Sequence, residues 1–318
     1  MKIVVLDGYS INPGDLSWDR LALLGDLTVH DRTPKVEALS RIGQAEIALT
    51  NKTVLSAETL TQAPNLKYVG VLATGYNIVD VRAAAAKGIV VANVPSYGTE
   101  AVAQFAIALM LELCHHVGLH SRLVAEGRWE KNLDYSFWET PLVELVGKVL
   151  GVIGFGRIGR QTAKIARALG MRVVAHTPHP EPEDADLAEF VSLDRLLSDS
   201  DVITLHCPLT PSTEGIINKA NLAKMKKGVL IVNNSRGQLV VEEDLAAALE
   251  SGQVQAAAVD VVSAEPIRSD NPLLKAKNCL ITPHISWAPK ETRQRLLNTA
   301  IDNVEAFLKG APANVIKG

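Results

Sequence analysis

Short runs of β-branched and other apolar residues alternate with helical patterns along the whole chain. Near-continuous apolar strands separated by helices are typical of a parallel sheet that is covered on both faces. Runs in the first third of the chain predict one sheet, and a later set predicts a second sheet. The predicted strands are Ile3–Leu6, Leu27–His30, Glu46–Leu49, Tyr68–Leu72 and Ile89–Ala92, followed by Val149–Ile153, Arg172–Ala175, Val202–His206, Val229–Asn233, Gln255–Val259 and Cys279–Thr282.

Two clusters of breaker residues interrupt this alternation, one at Pro95–Gly98 and one between Pro283 and Pro289. We place the domain boundaries there. Residues 1–97 plus 287–318 then form one domain, and residues 98–286 form a second domain inserted into it. Two sets of strands joined by helices predict α/β domains that are both doubly wound. The longest helical patterns are Glu100–Gly127, Ile158–Leu169 and Lys290–Leu308.

The composition agrees with about two globular domains: the chain has 318 residues, of which 47% are apolar and 21% charged. The formal net charge is −3, so we expect neither nucleic acid nor an anionic membrane as a partner. The most apolar helical stretch, Ala101–Leu113, is too short to span a bilayer. Three scattered cysteines, Cys114, Cys207 and Cys279, and no secretory signal predict a reducing, cytoplasmic compartment.

The most informative motif is a glycine-rich turn that follows an apolar run and opens a helical pattern. Its glycines are Gly154, Gly156 and Gly159, and the backbone of Arg157 and Ile158 completes the turn. Such a turn points several N–H groups at one spot, with the positive end of the helix dipole behind them. Glycine allows the tight turn and the close approach of a pyrophosphate. The motif therefore predicts a dinucleotide-binding site.

The choice between NAD and NADP depends on the end of the next strand, where NAD-binding proteins usually carry an acid. Thr177 stands at that position, and no Arg or Lys follows at once to bind a 2′-phosphate. Glu181, Glu183 and Asp184 lie just downstream and would disfavour extra negative charge if the chain folds back. These residues favour NAD and leave NADP open.

Three later strands are each followed by charged or titratable residues. Arg236 follows one strand, Asp260 and Glu265 follow the next, and His284 follows the last. Ligands of open parallel sheets bind beyond the carboxyl ends of the strands, so we expect these side chains to converge there. A guanidinium binds a carboxylate through two hydrogen bonds, and an imidazole beside a carboxylate transfers a proton near neutral pH. The set predicts an active site, although each residue alone is more often a cap or a surface residue.

These motifs together resemble the D-isomer-specific 2-hydroxyacid dehydrogenases over essentially the whole chain. Trp287 and Leu72–Asn77 most resemble the glycerate dehydrogenase (hydroxypyruvate reductase) branch. The resemblance implies a Rossmann NAD(P)-binding domain at 98–286 inserted into a flavodoxin-like substrate domain. The matching segments are Gly154–Gly159, Leu205–Thr213, Asn234–Gly237, Asp260 with Glu265–Pro266, and Pro283–His284.

The resemblance also implies an activity, the NAD(P)H-dependent interconversion of a short 2-oxo acid and its D-2-hydroxy acid. Hydroxypyruvate or glyoxylate, with D-glycerate or glycolate, are the first candidates. Arg236 would bind the substrate carboxylate and the C2 oxygen, and would also border the cofactor. His284 would donate the proton, Glu265 would pair with His284, and Asp260 would hold the nicotinamide carboxamide.

Further site residues follow from the same resemblance. The backbone around Thr74, Gly75 and Tyr76 would receive the substrate carboxylate. Thr177 would contact the ribose, and the rest of the cofactor cleft would be lined by Cys207, Pro208, Thr213 and Asn234. Lys52 follows a predicted strand of the first domain, where it is either a second cation for the substrate or an ordinary surface lysine.

The segment from Gly127 to Trp138 is crowded with aromatic residues in a chain with only 4% of them. That density favours a contact with a second subunit, with packing inside one chain as the alternative. The resemblance implies a homodimer in which Trp138 borders the partner's substrate pocket. No metal is expected, because His115, His116 and His120 share only part of one helix face and the chemistry needs none.

Two other functions remain open at this point. A non-catalytic NAD-binding regulator, similar to a corepressor, would keep the glycine turn without needing Arg236, Glu265 and His284. The second open function is that of a phosphoglycerate dehydrogenase. Because the sequence ends soon after the last helical pattern, we do not expect the regulatory domain that long phosphoglycerate dehydrogenases carry. Formate dehydrogenase is disfavoured because Glu265 stands where that enzyme would use an amide.

Overall fold

The computed structural model describes residues 1–317; Gly318, the last residue of the predicted first domain, lies outside the described residues. The chain divides into two compact units. One comprises Met1–Gly98 together with the segment that begins at Trp287, and the other is Thr99–Ser286. The first unit is therefore discontinuous in sequence.

The first unit is built on a parallel sheet with the strand order β2-β1-β3-β4-β5, the flavodoxin-like order. Its strands are β1 (Lys2–Val5), β2 (Asp26–Val29), β3 (Ile47–Thr50), β4 (Tyr68–Val71) and β5 (Val90–Ala92). Its helices are α1 (Asp19–Ala22), α2 (Ala38–Ile42), α3 (Ala57–Gln62), α4 (Val81–Ala86) and the last helix of the chain, Lys290–Leu308.

Both faces of this sheet are buried. Side chains alternate between the two faces of a strand, and accordingly Ile3 and Val5 belong to one apolar cluster while Val4 belongs to the other. The helix Lys290–Leu308 covers the first face through Leu297 and Ile301, which are both fully buried. This packing explains why the end of the chain belongs to the unit that contains its beginning.

The second unit contains a larger parallel sheet with the order β12-β11-β10-β9-β6-β7-β8. The strand order reverses between β6 and β9, which is the place where doubly wound sheets bind dinucleotides. The strands are β6 (Val149–Ile153), β7 (Arg172–His176), β8 (Glu189–Phe190), β9 (Val202–Leu205), β10 (Val229–Asn233), β11 (Val254–Val259) and β12 (Cys279–Ile281). The helices are α5 (Thr99–His115), α6 (Val117–Ala125), α7 (Arg157–Ala168), α8 (Leu193–Asp199), α9 (Lys219–Leu222) and α10 (Glu242–Ser251).

The predicted fold class, two doubly wound parallel-sheet domains of Rossmann and flavodoxin type, is confirmed. One local prediction was wrong and one element was missed. The single helix expected over Glu100–Gly127 is two helices, because His116 adopts a left-handed conformation (φ 47°) that ends α5 and starts α6. The short edge strand β8 was not predicted. In the described residues no single helix is long and apolar enough to cross a membrane, although α5 and α6, bent by 55°, reach that length and composition together.

Candidate active site

The glycine turn joins β6 to α7 in the second unit. Gly154 has φ 93°, and a Cβ atom there would collide with the backbone of Cys207. A Cβ on Gly159 would likewise collide with the carbonyl oxygen of Gly154. Gly156 differs, because a Cβ there would meet nothing within 4 Å. Packing therefore requires two of the glycines, and the third keeps open the space in front of the α7 N-terminus, the cradle a pyrophosphate needs.

A pocket of about 420 Å³ opens beside this turn. Gly154, Cys207 and Thr213, all predicted cofactor residues, line it, and so do His176 and Pro178 on either side of Thr177. The Thr213 hydroxyl donates to the carbonyl oxygen of Pro208 (2.7 Å), which closes the turn after β9. Predicted cofactor residues that follow β6 and β9 thus meet at one pocket beside the end of β7, and its volume lies in the range of small-molecule sites.

Two acids bear on the choice of cofactor, Glu214 and Asp184. Glu214, which sequence analysis missed, lines the pocket and places a carboxylate on its wall. Asp184 is buried and forms an ion pair with Arg160 of α7 (2.6 Å), so its charge is largely compensated. The sequence predicted that Glu181, Glu183 and Asp184 would disfavour a 2′-phosphate; of these, Asp184 is compensated by Arg160, whereas Glu214 is an acid that lines the pocket.

Two titratable groups follow β9, His206 and the pocket residue Cys207, and burial favours the uncharged form of both. Desolvation lowers the pKa of His206 to about 4, and its Nε2 lies 2.9 Å from the Thr204 hydroxyl. Burial raises the pKa of the Cys207 thiol to about 11. At neutral pH the Cys207 thiol is therefore uncharged and a poor nucleophile.

The strongest chemical feature is an imidazole–carboxylate pair. Nδ1 of His284 lies 2.7 Å from Oε2 of Glu265, and both side chains are about one-third exposed, at 29% and 35%. Pairing at Nδ1 leaves Nε2 as the nitrogen that exchanges a proton with a ligand. His284 itself has a left-handed backbone (φ 55°), which is uncommon outside glycine and is often found at functional sites.

Asp260, at the end of β11, fixes the turn that carries this histidine. Oδ1 accepts hydrogen bonds from the Thr282 hydroxyl (2.6 Å) and the Ile285 N–H (2.9 Å). Oδ2 accepts from the N–H (2.8 Å) and the hydroxyl (2.6 Å) of Ser286. An ionised carboxylate accepts about four hydrogen bonds, so its capacity is filled within the chain. The contact with a nicotinamide carboxamide stays a prediction, and it requires Asp260 to share or exchange one of these bonds.

Arg236 follows β10 and is exposed. Its Nη1 donates to the carbonyl oxygen of Ser235 (2.7 Å), and within residues 1–317 its guanidinium has no acidic partner. The next residue, Gly237, has no room for a Cβ because the backbone of Val262 and Ser263 lies against it. The loop of Arg236 therefore packs directly on the loop that carries Glu265.

Strand order brings these loops to one edge. The strands β10, β11 and β12 are neighbours in a parallel sheet, so their carboxyl ends point the same way. Asn234 links them further, since its Nδ2 donates to Val102 O (2.9 Å) and to the Ser286 hydroxyl (3.2 Å). Its Oδ1 is buried without a partner among the described residues and is an acceptor available to a ligand. These residues fit a bound dinucleotide.

The first unit presents its own polar turns at the ends of β3 and β4. The Asp7 carboxylate accepts from the N–H groups of Asn51 (2.8 Å), Lys52 (2.5 Å) and Thr53 (2.8 Å). The Asn51 amide in turn donates to Leu72 O (2.5 Å) at the start of the other turn. Asp7, which sequence analysis did not identify, therefore fixes the backbone that carries Lys52.

The turn at 74–76 carries the backbone N–H groups that were predicted to receive the substrate carboxylate. The Thr74 hydroxyl donates to Val94 O (2.9 Å), and Asn93 donates to Thr74 O (2.7 Å), so the turn is held from its carbonyl side. Within residues 1–317 the backbone N–H groups of Thr74, Gly75 and Tyr76 make no hydrogen bond. Successive free N–H groups of this kind form a concavity suited to a carboxylate.

The similarity to known proteins agrees with this geometry. Residues 107–286 match the family model described as D-isomer specific 2-hydroxyacid dehydrogenase, NAD binding domain. The chain belongs to this dehydrogenase family. A D-2-hydroxyacid dehydrogenase is an oxidoreductase that interconverts 2-oxo acids and D-2-hydroxy acids with a nicotinamide cofactor. The predicted family, enzyme class and NAD-type cofactor are thereby confirmed.

Two relatives and one structure show how far the similarity extends. The dehydrogenase is 61% identical over 320 residues to a hydroxypyruvate reductase from Blautia hydrogenotrophica, covering 99% of each chain. It is 40% identical over 287 residues to a glycerate dehydrogenase from Methylorubrum extorquens, covering 90% of this chain and 89% of that one. The TT0316 protein from Thermus thermophilus has the same fold, with a TM-score of 0.87, 35% identity and full coverage of both chains.

The aromatic segment of the dehydrogenase lies between α6 and β6 and is irregular. Trp138 is 66% exposed, and Leu133 and Tyr135 are almost fully exposed. Packing within the chain, the alternative considered for this segment, therefore does not bury these three side chains. Of the three histidines considered for a metal, His120 bonds His116 O and Glu139 N–H instead. The described residues contain no cluster of metal-ligating side chains.

Proposed function

We propose that this dehydrogenase reduces hydroxypyruvate or glyoxylate to the corresponding 2-hydroxy acid, D-glycerate or glycolate, and catalyses the reverse reaction. The observation that carries the proposal is the His284–Glu265 pair at the edge of the sheet where Arg236 also lies. The relative named hydroxypyruvate reductase, identical at 61% of positions, supports the choice of substrate.

The roles of the three residues follow from their chemistry. The unpaired guanidinium of Arg236 binds the substrate carboxylate and the C2 oxygen through parallel charge-assisted hydrogen bonds. His284 donates a proton from Nε2 to the C2 oxygen as negative charge develops there. Glu265 holds the ring by Nδ1 and stabilises the protonated imidazole. A reduced nicotinamide, when bound, would supply the hydride to C2.

NAD is the proposed cofactor in preference to NADP. The pocket beside Gly154 carries Glu214 on its wall and no lysine or arginine, so a 2′-phosphate there would find repulsion and no cationic partner. Gly154, Gly156 and Gly159, with the backbone of Arg157 and Ile158, would hold the pyrophosphate. The Oδ1 of Asn234, which has no partner among the described residues, would accept a hydrogen bond from the nicotinamide end of the cofactor.

A direct assay decides the proposal. The purified protein is mixed with hydroxypyruvate, glyoxylate, pyruvate or 3-phosphohydroxypyruvate, each with NADH and with NADPH, and oxidation of the cofactor is followed by absorbance. We expect the highest kcat/KM for hydroxypyruvate with NADH. Turnover of none of these acids, with NADH still bound, would contradict the enzymatic proposal and favour a regulatory protein. A preference for the phosphorylated acid would identify a phosphoglycerate dehydrogenase.

In the first unit, the proposed carboxylate contacts are the free N–H groups of Thr74, Gly75 and Tyr76, with Lys52 as an additional cation. Replacing Lys52 with alanine is expected to raise the KM for hydroxypyruvate about fivefold with little change in kcat, as expected for a solvated charge that contributes to binding alone. Lys67→Ala is the matched control, since that lysine pairs with Glu46 (2.9 Å). An unchanged KM in Lys52→Ala would remove Lys52 from the site.

We further propose that the protein is a homodimer that buries the segment around Leu133, Tyr135 and Trp138, and that Trp138 borders the partner's substrate. Such exposed aromatic side chains are typical of the buried centre of an interface. Sedimentation at micromolar concentration checks the oligomeric state, and a monomer there would contradict the proposed dimer.

We also propose a cytoplasmic location. The three free cysteines support a reducing environment of that kind.

A further inference from the structure

The loop that carries Glu265 has no regular secondary structure. It runs from Asp260, at the end of β11, to Asn271, before the short 3₁₀ turn that starts at Pro272. The sheet therefore fixes the start of this loop, and a short 3₁₀ turn follows its end, but neither fixes the position of Glu265 within it. A carboxylate that must stay 2.7 Å from the His284 ring needs some other constraint.

One buried carboxylate supplies that constraint. Glu242, the first residue of α10, is only 8% exposed. Its Oε1 accepts from the N–H of Ser263 (2.8 Å), and its Oε2 accepts from the Ser263 hydroxyl (2.7 Å) and from Nδ2 of Asn271 (3.0 Å). Ser263 precedes Glu265 by two residues, and Asn271 ends the loop. A single side chain thus holds the loop on both sides of Glu265.

Neighbouring contacts make Ser263 a fixed point. Its carbonyl oxygen accepts from Nε2 of Gln238 (3.0 Å), and its backbone lies against Gly237. Within the loop, the N–H of Val262 reaches Oε1 of Glu265 (3.4 Å). The constraint that starts at Glu242 therefore passes through Ser263 to the carboxylate that pairs with His284.

Helix capping does not require an acid at this place. Glu243 and Asp244 also lie in the first turn of α10 and supply negative charge near its N-terminus. Glu243 is exposed, and Asp244 accepts from the N–H of Lys219 (2.8 Å). Only Glu242 is buried and directed to the loop. Burying a carboxylate is unfavourable unless its oxygens are hydrogen-bonded, and here the donors come from the segment around Glu265.

We propose that Glu242 is a positioning residue of this enzyme: by holding Ser263 and Asn271 it keeps Glu265 in contact with His284. The proposal rests on the function proposed above. Glu242 touches neither substrate nor cofactor in this role, and its effect on the reaction passes entirely through Glu265.

The first test replaces Glu242 with glutamine, which keeps its size but, in either orientation of the amide, places its NH2 group against a donor, Asn271 Nδ2 or the Ser263 N–H. We expect kcat for hydroxypyruvate reduction to fall about tenfold, because a small displacement of a catalytic group lowers the rate strongly. The KM for NADH should stay within twofold. Glu243→Gln, the same change at the next and exposed position, is the control and should leave both constants within twofold.

A double-mutant cycle separates positioning from general weakening of the fold. Glu265→Gln is combined with Glu242→Gln, and kcat is compared with that of each single variant. If Glu242 acts through Glu265, the second substitution changes kcat by less than twofold in the Glu265→Gln background. An equal tenfold loss in both backgrounds would overturn the proposal, as would a Glu242→Gln enzyme that matches its control.

Crystal structures keep the proposal testable without any assumption about the substrate. We expect the His284–Glu265 contact to lengthen in Glu242→Gln and to be retained in Glu243→Gln. Retention of the contact in both variants would overturn the proposal. If wild-type protein turns over none of the 2-oxo acids, the proposed function fails, and these structures alone decide the role of Glu242. If Glu242→Gln does not fold, Asn271→Ala and Ser263→Ala are used in its place, because each removes one hydrogen-bond donor to Glu242. Each variant is expected to lower kcat about threefold and to lengthen the His284–Glu265 contact.

Discussion

Replacing His284 with glutamine is expected to lower kcat for hydroxypyruvate reduction by about three orders of magnitude, since general acid catalysis contributes roughly 10²–10⁴ to a rate. Glutamine occupies similar space, and its amide can still donate a hydrogen bond to the C2 oxygen. It cannot transfer a proton, and it carries no positive charge to stabilise the oxygen as the hydride arrives. The loss should appear in kcat and kcat/KM together, because the missing interaction belongs to the transition state.

The measurement needs a control for the cofactor site and one for histidine substitution in general. Binding of NADH, followed by fluorescence, should be unchanged in His284→Gln, because the glycine turn lies at the end of another strand, β6. His115→Gln replaces an exposed histidine at the end of α5 and should retain wild-type kcat. Turnover of His284→Gln within tenfold of wild type would contradict the proton-donor role.

Much of the fold could be predicted because its strands are buried on both faces. Val149–Ile153 and Val229–Asn233 were predicted with the bounds the structure shows, and every residue in both is buried. The helix Lys290–Leu308 also begins and ends as predicted. The break at His116 could not be predicted, since its left-handed backbone is not signalled by glycine or proline. The strand Glu189–Phe190 has only two residues, too few to show a period.

The site was predictable to the extent that it depends on strand ends. Arg236, Asp260 and His284 were found because parallel strands deliver their carboxyl ends to one edge. Asp7 and Glu242 were missed for a common reason. Their partners are mostly backbone N–H groups and small polar side chains of loops distant in sequence, and no residue type marks an N–H that needs an acceptor. In the sequence Glu242 is simply one of three acids that begin a helix.

The comparison of Asp260 with Glu242 shows a pattern that the sequence conceals. Each of these buried carboxylates accepts hydrogen bonds from one irregular segment, the 282–286 turn for Asp260 and the 263–271 loop for Glu242. The two segments carry the two members of the His284–Glu265 pair. Irregular loops tolerate changes in side chains, and rigid hydrogen bonding at their bases holds the pair at hydrogen-bonding distance.

Replacing Arg236 with lysine is expected to lower kcat/KM for hydroxypyruvate by about 10- to 100-fold while the positive charge is kept. A planar guanidinium can donate two parallel hydrogen bonds, and loss of one bond to a charged group costs about 1.5–3 kcal/mol. A lysine ammonium is a point charge on a flexible stem and cannot hold the carboxylate and the C2 oxygen at once. Because the same contacts orient C2 for reduction, kcat should fall as KM rises.

Arg195→Lys is the matched control, because Arg195 pairs with Glu189 (2.8 Å) and Asp199 (3.3 Å) on the surface, where a lysine can replace it. Its kinetic constants should stay within twofold of wild type. NADH affinity in Arg236→Lys is measured separately, since Arg236 was also predicted to border the cofactor. A large loss of NADH binding with normal kcat at saturating cofactor would assign Arg236 to the dinucleotide and leave the substrate carboxylate to the free N–H groups of Thr74, Gly75 and Tyr76. A fall in kcat/KM for the 2-oxo acid at unchanged NADH affinity is the result that the exposed, acid-free guanidinium predicts.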